Sequence, residues 1–586
     1  MDKKLIRKRA EEYVAYETDS RFREEVQNLL TKDTLSEQQW GELNDRFFTD
    51  LSFGTGGLRG IIGGGFNRLN PFTVKRATQG LANYIKKDIR NWEPSAVIAY
   101  DSRRFSDLFA LEAALVLAGN GIKTYLFSSL RPTPELSFAV RTLGASAGIV
   151  VTASHNPPDY NGYKVYWSDG AQVVPPHDEG IIEEVRKVTT EIRSLSKEEA
   201  LKKGLLEYID AEIDNAYIEM VKQHSLRPEL INKRGKDLKV VYTPLHGTGT
   251  MAVERILREM GIDIITVPEQ REPDGDFPTV TYPNPEEASA MQMAVELGRK
   301  VKADLVMGTD PDADRLGIAV PENTDYILIT GNQLGALLAD YIFFTLQEKR
   351  KLPRKAGFIK TIVTTELQAL IARNYGVKVY NVLTGFKYIG EKIRQFESAG
   401  EKYIFGGEES YGYLVGTEVR DKDAVSAAAM TAEMAVYNLS RGISVLDHLN
   451  SLYKQHGYFE ELLISKSFKG QAGLEKMDAV MKRLRNARPA AVGGVKITIV
   501  RDYQNNTEYD LLKNQEDRLD LPASNVLQFV LADESVVTVR PSGTEPKIKF
   551  YASCRSKKGL DLNAGKREVS VKIKSIEDDI NKLMEE

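Results

Sequence analysis

From about residue 96 to 154 the chain writes strand, helix, strand, helix, strand, and it writes that succession again over 237–308 and 357–406. The first pass gives Val97 to Tyr100, Lys123 to Phe127 and Ile149 to Thr152. The second gives "LKVVYT", a helix near 250–260, "DIITV" and "DLVMG"; the third gives "GFIKTIV", "VKVYNV" and "YIFGG". Short β-branched runs alternating with helical periods restrict a chain to α/β units with a largely parallel sheet, because parallel neighbours need a crossover that a helix supplies. Three such units are expected, and 586 residues are too many for one core.

The last strand of each unit runs into a loop rich in functional groups: "TASHNPP", "GTDPDADR" and "GGEESYG". Because these loops fall at equivalent points of similar units, one cleft can collect all of them, at the strand ends where open α/β sheets place their chemistry. After about residue 456 the texture changes to "VKITIVRDY", "NVLQFVLAD", "SVVTVRPS" and "KIKFYASC", which read as neighbouring antiparallel strands, followed by a charged amphipathic tail. A fourth, α+β domain follows, with "RPSGTEPK" as a loop between two of its strands. The domain limits expected are 1–207, 208–322, 323–455 and 456–586.

Composition narrows the partners. With 79 Lys plus Arg against 83 Asp plus Glu, the net charge of -4 argues against nucleic acid as the main ligand. No apolar run approaches the roughly 18 residues of a membrane span, and the opening "MDKKLIRKRAEEYVAYE" is charged and helical in period rather than a signal peptide. A cytoplasmic location is expected. Cys554 is the one cysteine, which excludes an intrachain disulfide and a cysteine-based zinc site.

"DPDAD" sets Asp310, Asp312 and Asp314 at every second position, so that in extended backbone three carboxylates converge on one hard cation. An EF-hand loop is excluded, because Arg315 stands where the glycine belongs and Pro321 where the bidentate glutamate belongs. Three carboxylates leave positions open for water and a phosphate oxygen, which favours Mg²⁺. In "TASHNPPDYNGYKVY" two prolines stiffen the loop that holds Ser154. Adjacent side chains diverge, so His155 is not expected to serve Ser154 as a base, and no hydrolase triad can be assigned.

Two glycine-bearing segments read both ways. In "RPSGTEPK", Arg540, Ser542, Thr544 and Lys547 surround Gly543 as a phosphate nest, with a plain β-turn as the equal alternative. In "FGTGGLRGIIGGG", Arg59 is the partner for an anionic ligand. "VVYTPLHGTGTMA" competes with both: Gly247, Gly249 and Ala252 fit a dinucleotide fingerprint, with Glu269 as the ribose acid of a nicotinamide oxidoreductase. Its place in the second of three similar units, and the lack of any use for three aspartates in plain hydride transfer, weigh against it.

In that order and at these spacings, "TASHNPPDYNGYKVY", "GTDPDADRLGI", "GGEESYGYL" and "RPSGTEPKIKFY" resemble the signature loops of the α-D-phosphohexomutase superfamily. The resemblance covers about residues 40 to 555, and "GTGGLRG", "TPLHGTG" and "RDKDAV" are most similar to the phosphoglucomutase branch that also holds phosphopentomutases and sugar-bisphosphate synthases. It implies three mixed α/β domains and a fourth, TBP-like domain in a heart-shaped arrangement. It implies an isomerase, an intramolecular phosphotransferase interconverting glucose 1-phosphate and glucose 6-phosphate through glucose 1,6-bisphosphate. Phosphopentomutase, phosphomannomutase and bisphosphate synthase are the alternatives on the same scaffold, and a non-catalytic sugar-phosphate sensor is a rival of another class.

The resemblance also implies roles. Ser154 carries the phosphoryl group and, with Asp310, Asp312 and Asp314, supplies a ligand to Mg²⁺. Arg59 and Arg315 add positive charge near the moving group, and Lys164 and Lys387 serve in proton transfer and phosphate contact. For proton transfer either lysine needs a lowered pKa, with crowding by other cations as the means and a solvent-facing lysine as the bland reading of Lys387. Glu408 and Ser410 bind sugar hydroxyls; Arg540, Ser542, Gly543, Thr544 and Lys547 bind the phosphate that is not being transferred. Partners are small sugar phosphates, with neither nucleic acid nor membrane, and the chain is expected as a monomer or weak homodimer. "SYGY" after the two glutamates, where phosphomannomutase-like members carry histidine, keeps the sugar open.

Overall fold

The apolar strands of the first two units come out as near-continuous buried runs, Ala147–Val151 and Leu305–Thr309, each buried at all five positions. A strand buried on both faces needs helices on both faces, and the connecting helices supply them. In the first sheet the order is Gly57–Ile61, Tyr160–Trp167, Ala147–Val151, Ser95–Tyr100, Lys123–Phe127, Leu206–Ile209. In the second it is Asp325–Ile329, Leu316–Glu322, Leu305–Thr309, Lys239–Thr243, Asp263–Thr266. The computed structural model describes residues 2–31, 35–54, 56–88, 93–468, 470–541 and 547–585.

The sheets are more mixed than the strand pattern predicts. Their inner strands pair in parallel, but Tyr160–Trp167 returns antiparallel to Ala147–Val151 and Leu316–Glu322 antiparallel to Leu305–Thr309. "TASHNPP" and "DPDAD" are therefore the hairpin connections of two similar sheets. An antiparallel return needs only a short loop, so each functional loop is anchored by a strand on both sides.

The chain divides into two compact units. The first, Met1–Thr330 with Phe386–Tyr403 and Tyr411–Ser440, holds both of these sheets. A large core cluster under the first sheet includes Leu81, Ile98, Phe109, Ala113, Ile149 and Tyr163.

The second unit is Gly331–Gly385, Ile404–Ser410 and Arg441–Glu586. There Ala356–Thr361 pairs in parallel with Lys378–Val382, as the third pattern predicts. Its C-terminal part is an antiparallel sheet through Phe459–Ser467, Lys547–Arg555, Val536–Pro541, Leu527–Leu531 and Val495–Asp502. Met481, Phe529, Val539, Phe550 and Ile576 share its core, which joins the helices Gly470–Asn486 and Leu562–Glu585 to the sheet. The expected architecture of three mixed α/β domains and a β-rich α+β domain is found.

Candidate active site

Ser154 stands three residues beyond its strand at φ 53°, in the left-handed region, and is 3% exposed. Few residues other than glycine rest there, so the surroundings must hold it. Its N–H donates to Thr152 Oγ1 at 2.8 Å, and the Thr152 hydroxyl donates to Asp101 Oδ2 at 2.6 Å. Beneath the loop lies Arg103, whose guanidinium donates to the carbonyls of Pro157 at 2.7 Å and Tyr160 at 2.9 Å, and also to those of Ser154 and Asn156. One buried cation thus gathers four carbonyls, faces Asp101 at 3.4 Å and lies over the Phe277 ring. The prolines stiffen the loop; Arg103 fixes its place.

The left-handed turn also reverses one expectation. Instead of diverging, Ser154 Oγ and His155 Nδ1 lie 3.1 Å apart. Burial, then the charges of Arg315 and Arg59, hold the His155 imidazole well below its ordinary pKa, so it is neutral.

Asp310, Asp312 and Asp314 are buried, and one oxygen from each lies within 4.8 Å of the others. They converge through a turn, with Ala313 at φ 49°, rather than through the extended backbone expected. In a strand, alternate residues stand about 7 Å apart, too far for one ion. Asp310 Oδ2 accepts from Ser154 Oγ at 2.7 Å, and its Oδ1 from the N–H groups of Asp314 and Arg315 at 3.1 and 3.0 Å. Asp312 Oδ2 accepts from Thr133 Oγ1 and Lys164 Nζ, both at 2.8 Å. Asp312 Oδ1 and Asp314 Oδ1 are buried with no hydrogen-bond partner. Orphaned carboxylate oxygens beside a third carboxylate are what a hard cation needs, and the donor set is oxygen alone.

Three buried carboxylates cannot all be charged cheaply. Burial, then Asp314 and Asp312, raise Asp310 well above the carboxylate range; at Asp312 burial pushes the same way, but Lys164 and Thr133 outweigh it and the pKa falls. A cation bound there would compete with the proton on Asp310, so its affinity would fall as pH falls.

Lys164, on the return strand Tyr160–Trp167, lies 3.5 Å from Asp314 Oδ2 besides its bond to Asp312. Burial opposes its charge and Lys422 adds to that, yet Asp312 and Asp314 together outweigh both and raise its pKa, which corrects the expectation of a lowered one. Lys387 shows the opposite. It sits in the first turn of the helix Phe386–Ala399, 11% exposed and 3.6 Å from Asp178, and burial lowers its pKa although Asp178 resists. It is not the solvent-facing lysine of the bland reading. The Arg315 guanidinium pairs with Glu286 and lies 3.9 Å from Asp314. Arg59, exposed on the strand Gly57–Ile61, pairs in register with Gly162 and adds its charge at His155 and Arg103.

In the second unit, Glu408 is buried and accepts the N–H of Gly385 at 3.0 Å; Glu409 accepts from Thr361 Oγ1 at 3.1 Å, and half-buried Ser410 follows. Arg540 lies on the strand Val536–Pro541 opposite Lys549, and Lys547 opens the returning strand Lys547–Arg555. "RPSGTEPK" thus joins two neighbouring strands, as expected; Ser542, Gly543 and Thr544 lie outside the described residues.

Sequence profiles of phosphoglucomutase/phosphomannomutase match this chain in order: alpha/beta/alpha domain I over 50–191, domain II over 215–323, domain III over 330–456 and the C-terminal domain over 491–563. The chain belongs to this family. The phosphoglucomutase of Staphylococcus aureus (strain bovine RF122 / ET3-1) is 39% identical over 538 residues, covering 91% of this chain and 94% of the relative. That of Staphylococcus saprophyticus is 36% identical, covering 90% and 95%. Among solved structures, the open form of parafusin, a phosphoglucomutase from Paramecium, superposes with a TM-score of 0.70 at 19% identity, covering 91% of this chain and 96% of that one. A phosphoglucomutase/phosphomannomutase family protein from Burkholderia thailandensis gives 0.64 at 19%, covering 92% and 97%. These two likenesses speak for the fold.

Within a phosphoglucomutase/phosphomannomutase fold the dinucleotide fingerprint finds another use. A Cβ on Gly247 would stand 2.4 Å from Pro311 Cα, and Thr248 N–H and Oγ1 both reach the Pro311 carbonyl, at 2.8 and 2.9 Å. The glycine turn is filled by the aspartate loop it supports, which leaves no seat for a pyrophosphate.

The motif readings passed over four contributors. Arg103 and Asp101 were signalled only by "DSRR", charges placed directly after an apolar strand. Thr133, the first residue of the helix Thr133–Thr142, carries no signal of its own. In "RDKDAV", Lys422 Nζ lies 3.1 Å from Asp314 Oδ2, while Asp421 and Asp423 accept the hydroxyls of Tyr166 and Tyr217 at 2.7 and 2.8 Å. That motif marked kinship; the structure brings Lys422 to the aspartates.

Proposed function

We infer that the chain is a phosphohexomutase that interconverts glucose 1-phosphate and glucose 6-phosphate, carrying the phosphoryl group on Ser154 and passing through glucose 1,6-bisphosphate. The observation that carries this reading is the buried Ser154 hydroxyl, 2.7 Å from Asp310 in an oxygen-only cluster with two orphaned acceptors. Asp310, Asp312, Asp314 and an oxygen of phosphorylated Ser154 would hold Mg²⁺, which would supply charge stabilisation at the phosphoryl oxygens.

The remaining work belongs to side chains. Arg103 holds the Ser154 loop from behind, so the carrier oxygen keeps its direction while sugars come and go. Arg59, Arg315 and Lys164 place positive charge where the dianionic group moves, which offsets the repulsion that makes phosphate monoesters resist attack. Glu408 and Ser410 take the sugar hydroxyls; Arg540, Ser542, Gly543, Thr544 and Lys547 take the resting phosphate. Glucose 1,6-bisphosphate is also the activator that rephosphorylates Ser154. The domain limits 1–207, 208–322, 323–455 and 456–586 belong to the same proposal, as do a cytoplasmic location and a monomer or weak homodimer. No helix among the described residues is long and apolar enough to cross a membrane.

The deciding experiment joins the intact mass of the purified protein to a coupled assay with glucose 1-phosphate, Mg²⁺ and catalytic bisphosphate. One phosphate on Ser154 and turnover support the reading; an unmodified chain that turns over neither glucose, mannose nor ribose phosphates overturns it.

Lys387 is the proton acceptor in this reading, because its pKa, unlike that of Lys164, is lowered on balance, by burial. A base works deprotonated, so activity rises as pH passes up through that pKa, and a lowered value brings the rise toward neutrality. Lys387→Met is expected to cut kcat by roughly 10²- to 10⁴-fold and remove that limb of the pH profile. Lys164→Met should leave the limb in place.

Arg540 tests the distal phosphate. Two charge-assisted hydrogen bonds contribute on the order of 2–3 kcal/mol, roughly two powers of ten in binding. Arg540→Ala should weaken substrate and bisphosphate binding by that factor and raise the requirement for added bisphosphate, while Ser154 remains able to be phosphorylated. Kinetics at varied bisphosphate decide it; wild-type affinity in the variant would make the loop an ordinary turn.

A further inference from the structure

Residues 1–49 precede the family match, which begins at residue 50, and the reaction as read above uses none of them. They form the helices Lys3–Tyr16, Ser20–Leu30 and Glu37–Phe47. Tyr13 is the centre of their packing, edge-on to Phe47, Phe66 and Phe72 at 5.9, 5.6 and 6.3 Å; the last two rings come from the family-matched segment. The helices therefore share a core with the domain that carries Ser154.

We propose that this helical segment is a positioning element for the Ser154 loop, acting through Phe22, Glu25 and Arg46; the proposal rests on the assignment of Ser154 as phosphoryl carrier. Two supports hold that loop, and the helix Ser20–Leu30 backs both.

The first support is the strand that carries Arg59. Three residues past its end, Gly64 is gripped at both backbone groups: its N–H donates to Glu25 Oε2 at 2.9 Å, and its carbonyl accepts from Arg46 Nη1 at 2.7 Å. Glu25 and Arg46 also bond to each other at 2.9 Å, so the grip is one closed set. A Cβ at Gly64 would stand 2.3 Å from the Phe22 carbonyl oxygen, so the helix comes as close as a glycine permits. Between this grip and the strand, the Ile62 N–H donates to the Asp159 carbonyl at 2.8 Å, inside the loop that follows Ser154.

The second support is Arg103. Two residues later Phe105 stands at φ 63°, and its ring meets the buried Phe22 ring edge-on at 5.1 Å; Phe109 lies 6.1 Å from the same ring. Arg21 lies over the other aromatic partner of this contact, with its guanidinium 5.1 Å from the Phe105 centroid. Removing the Phe22 ring empties the space behind the turn that aims Arg103 at four loop carbonyls.

A segment that only stabilises the domain would affect melting and leave the loop as it is. Positioning is tested in the full-length chain with Phe22→Ala, Phe22→Leu and Glu25→Gln, by amide hydrogen exchange resolved by peptide, melting temperature, and kcat and KM for glucose 1-phosphate. Exchange over residues 57–62 and 153–160 should quicken in Phe22→Ala and Glu25→Gln, with rates over 527–555 unchanged. Misplacing the carrier should lower kcat roughly ten- to hundredfold with KM nearly constant. Phe22→Leu, which refills the space, should restore both readouts. Should Phe22→Ala not fold, Glu25→Gln carries the test. Unchanged exchange over both segments, or a uniform rise over the whole chain, overturns the proposal. Faster loop exchange with unchanged turnover upholds the positioning and overturns the assignment of Ser154 instead.

Discussion

Ser154→Ala is expected to lose mutase activity by several orders of magnitude while the protein melts near the wild-type temperature. The variant deletes the atom proposed to carry the group, the Oγ that lies 2.7 Å from Asp310. It leaves the backbone bond from residue 154 to Thr152 and the Arg103 grip on four carbonyls untouched. Alanine in the left-handed region costs about 1 kcal/mol, as serine does, so the fold has little reason to respond. Intact mass should show an unphosphorylated chain under conditions that phosphorylate the wild type. Turnover above a few per cent of wild type would place the phosphoryl carrier elsewhere.

Asp312→Asn should be the next largest loss. The residue holds Lys164 at 2.8 Å through one oxygen and keeps the other free of any hydrogen bond, so the amide removes a charge from the cation site and weakens the anchor of Lys164 at once. Lewis-acid stabilisation of a phosphoryl transition state contributes several kcal/mol, on the order of 10³-fold or more in kcat. EDTA on the wild type should reproduce the loss and Mg²⁺ should reverse it; in the variant, Mg²⁺ should not. Because the Asp312 pKa is lowered in the fold, its contribution to stability is present above the unfolded carboxylate pKa and fades as pH falls through the folded one. The variant should therefore melt with a weaker acid dependence than wild type. An EDTA-treated enzyme that keeps full activity would sink the metal assignment.

Much of this molecule is legible in one dimension. Lys123 to Phe127 is a strand with the limits read from the sequence, and the helix expected near 250–260 runs over Gly249–Glu259. Such elements are readable because local periodicity and β-branching act over a few residues. The antiparallel returns Tyr160–Trp167 and Leu316–Glu322 were less so, since a buried strand carries no mark of its direction.

The sequence by itself determined the chemical inventory: three alternating aspartates, a serine at a strand end and a lysine ten residues on, in loops that close equivalent strands. Tertiary structure alone decided what each group is at neutral pH. Lys164 is held charged by Asp312 and Asp314, whereas Lys387 is drawn toward neutrality by burial, and nothing in "YKVY" or "GFKY" separates them. It also decided that Ser154 meets His155, that Arg103 and Thr133 reach the two loops, and that Gly247 serves Pro311 rather than a dinucleotide. The reason is range. Secondary structure follows from interactions between near neighbours in the chain, but a pKa depends on burial and on charges within a few ångströms in space, and residues 154 and 310 become neighbours only when two sheets have formed.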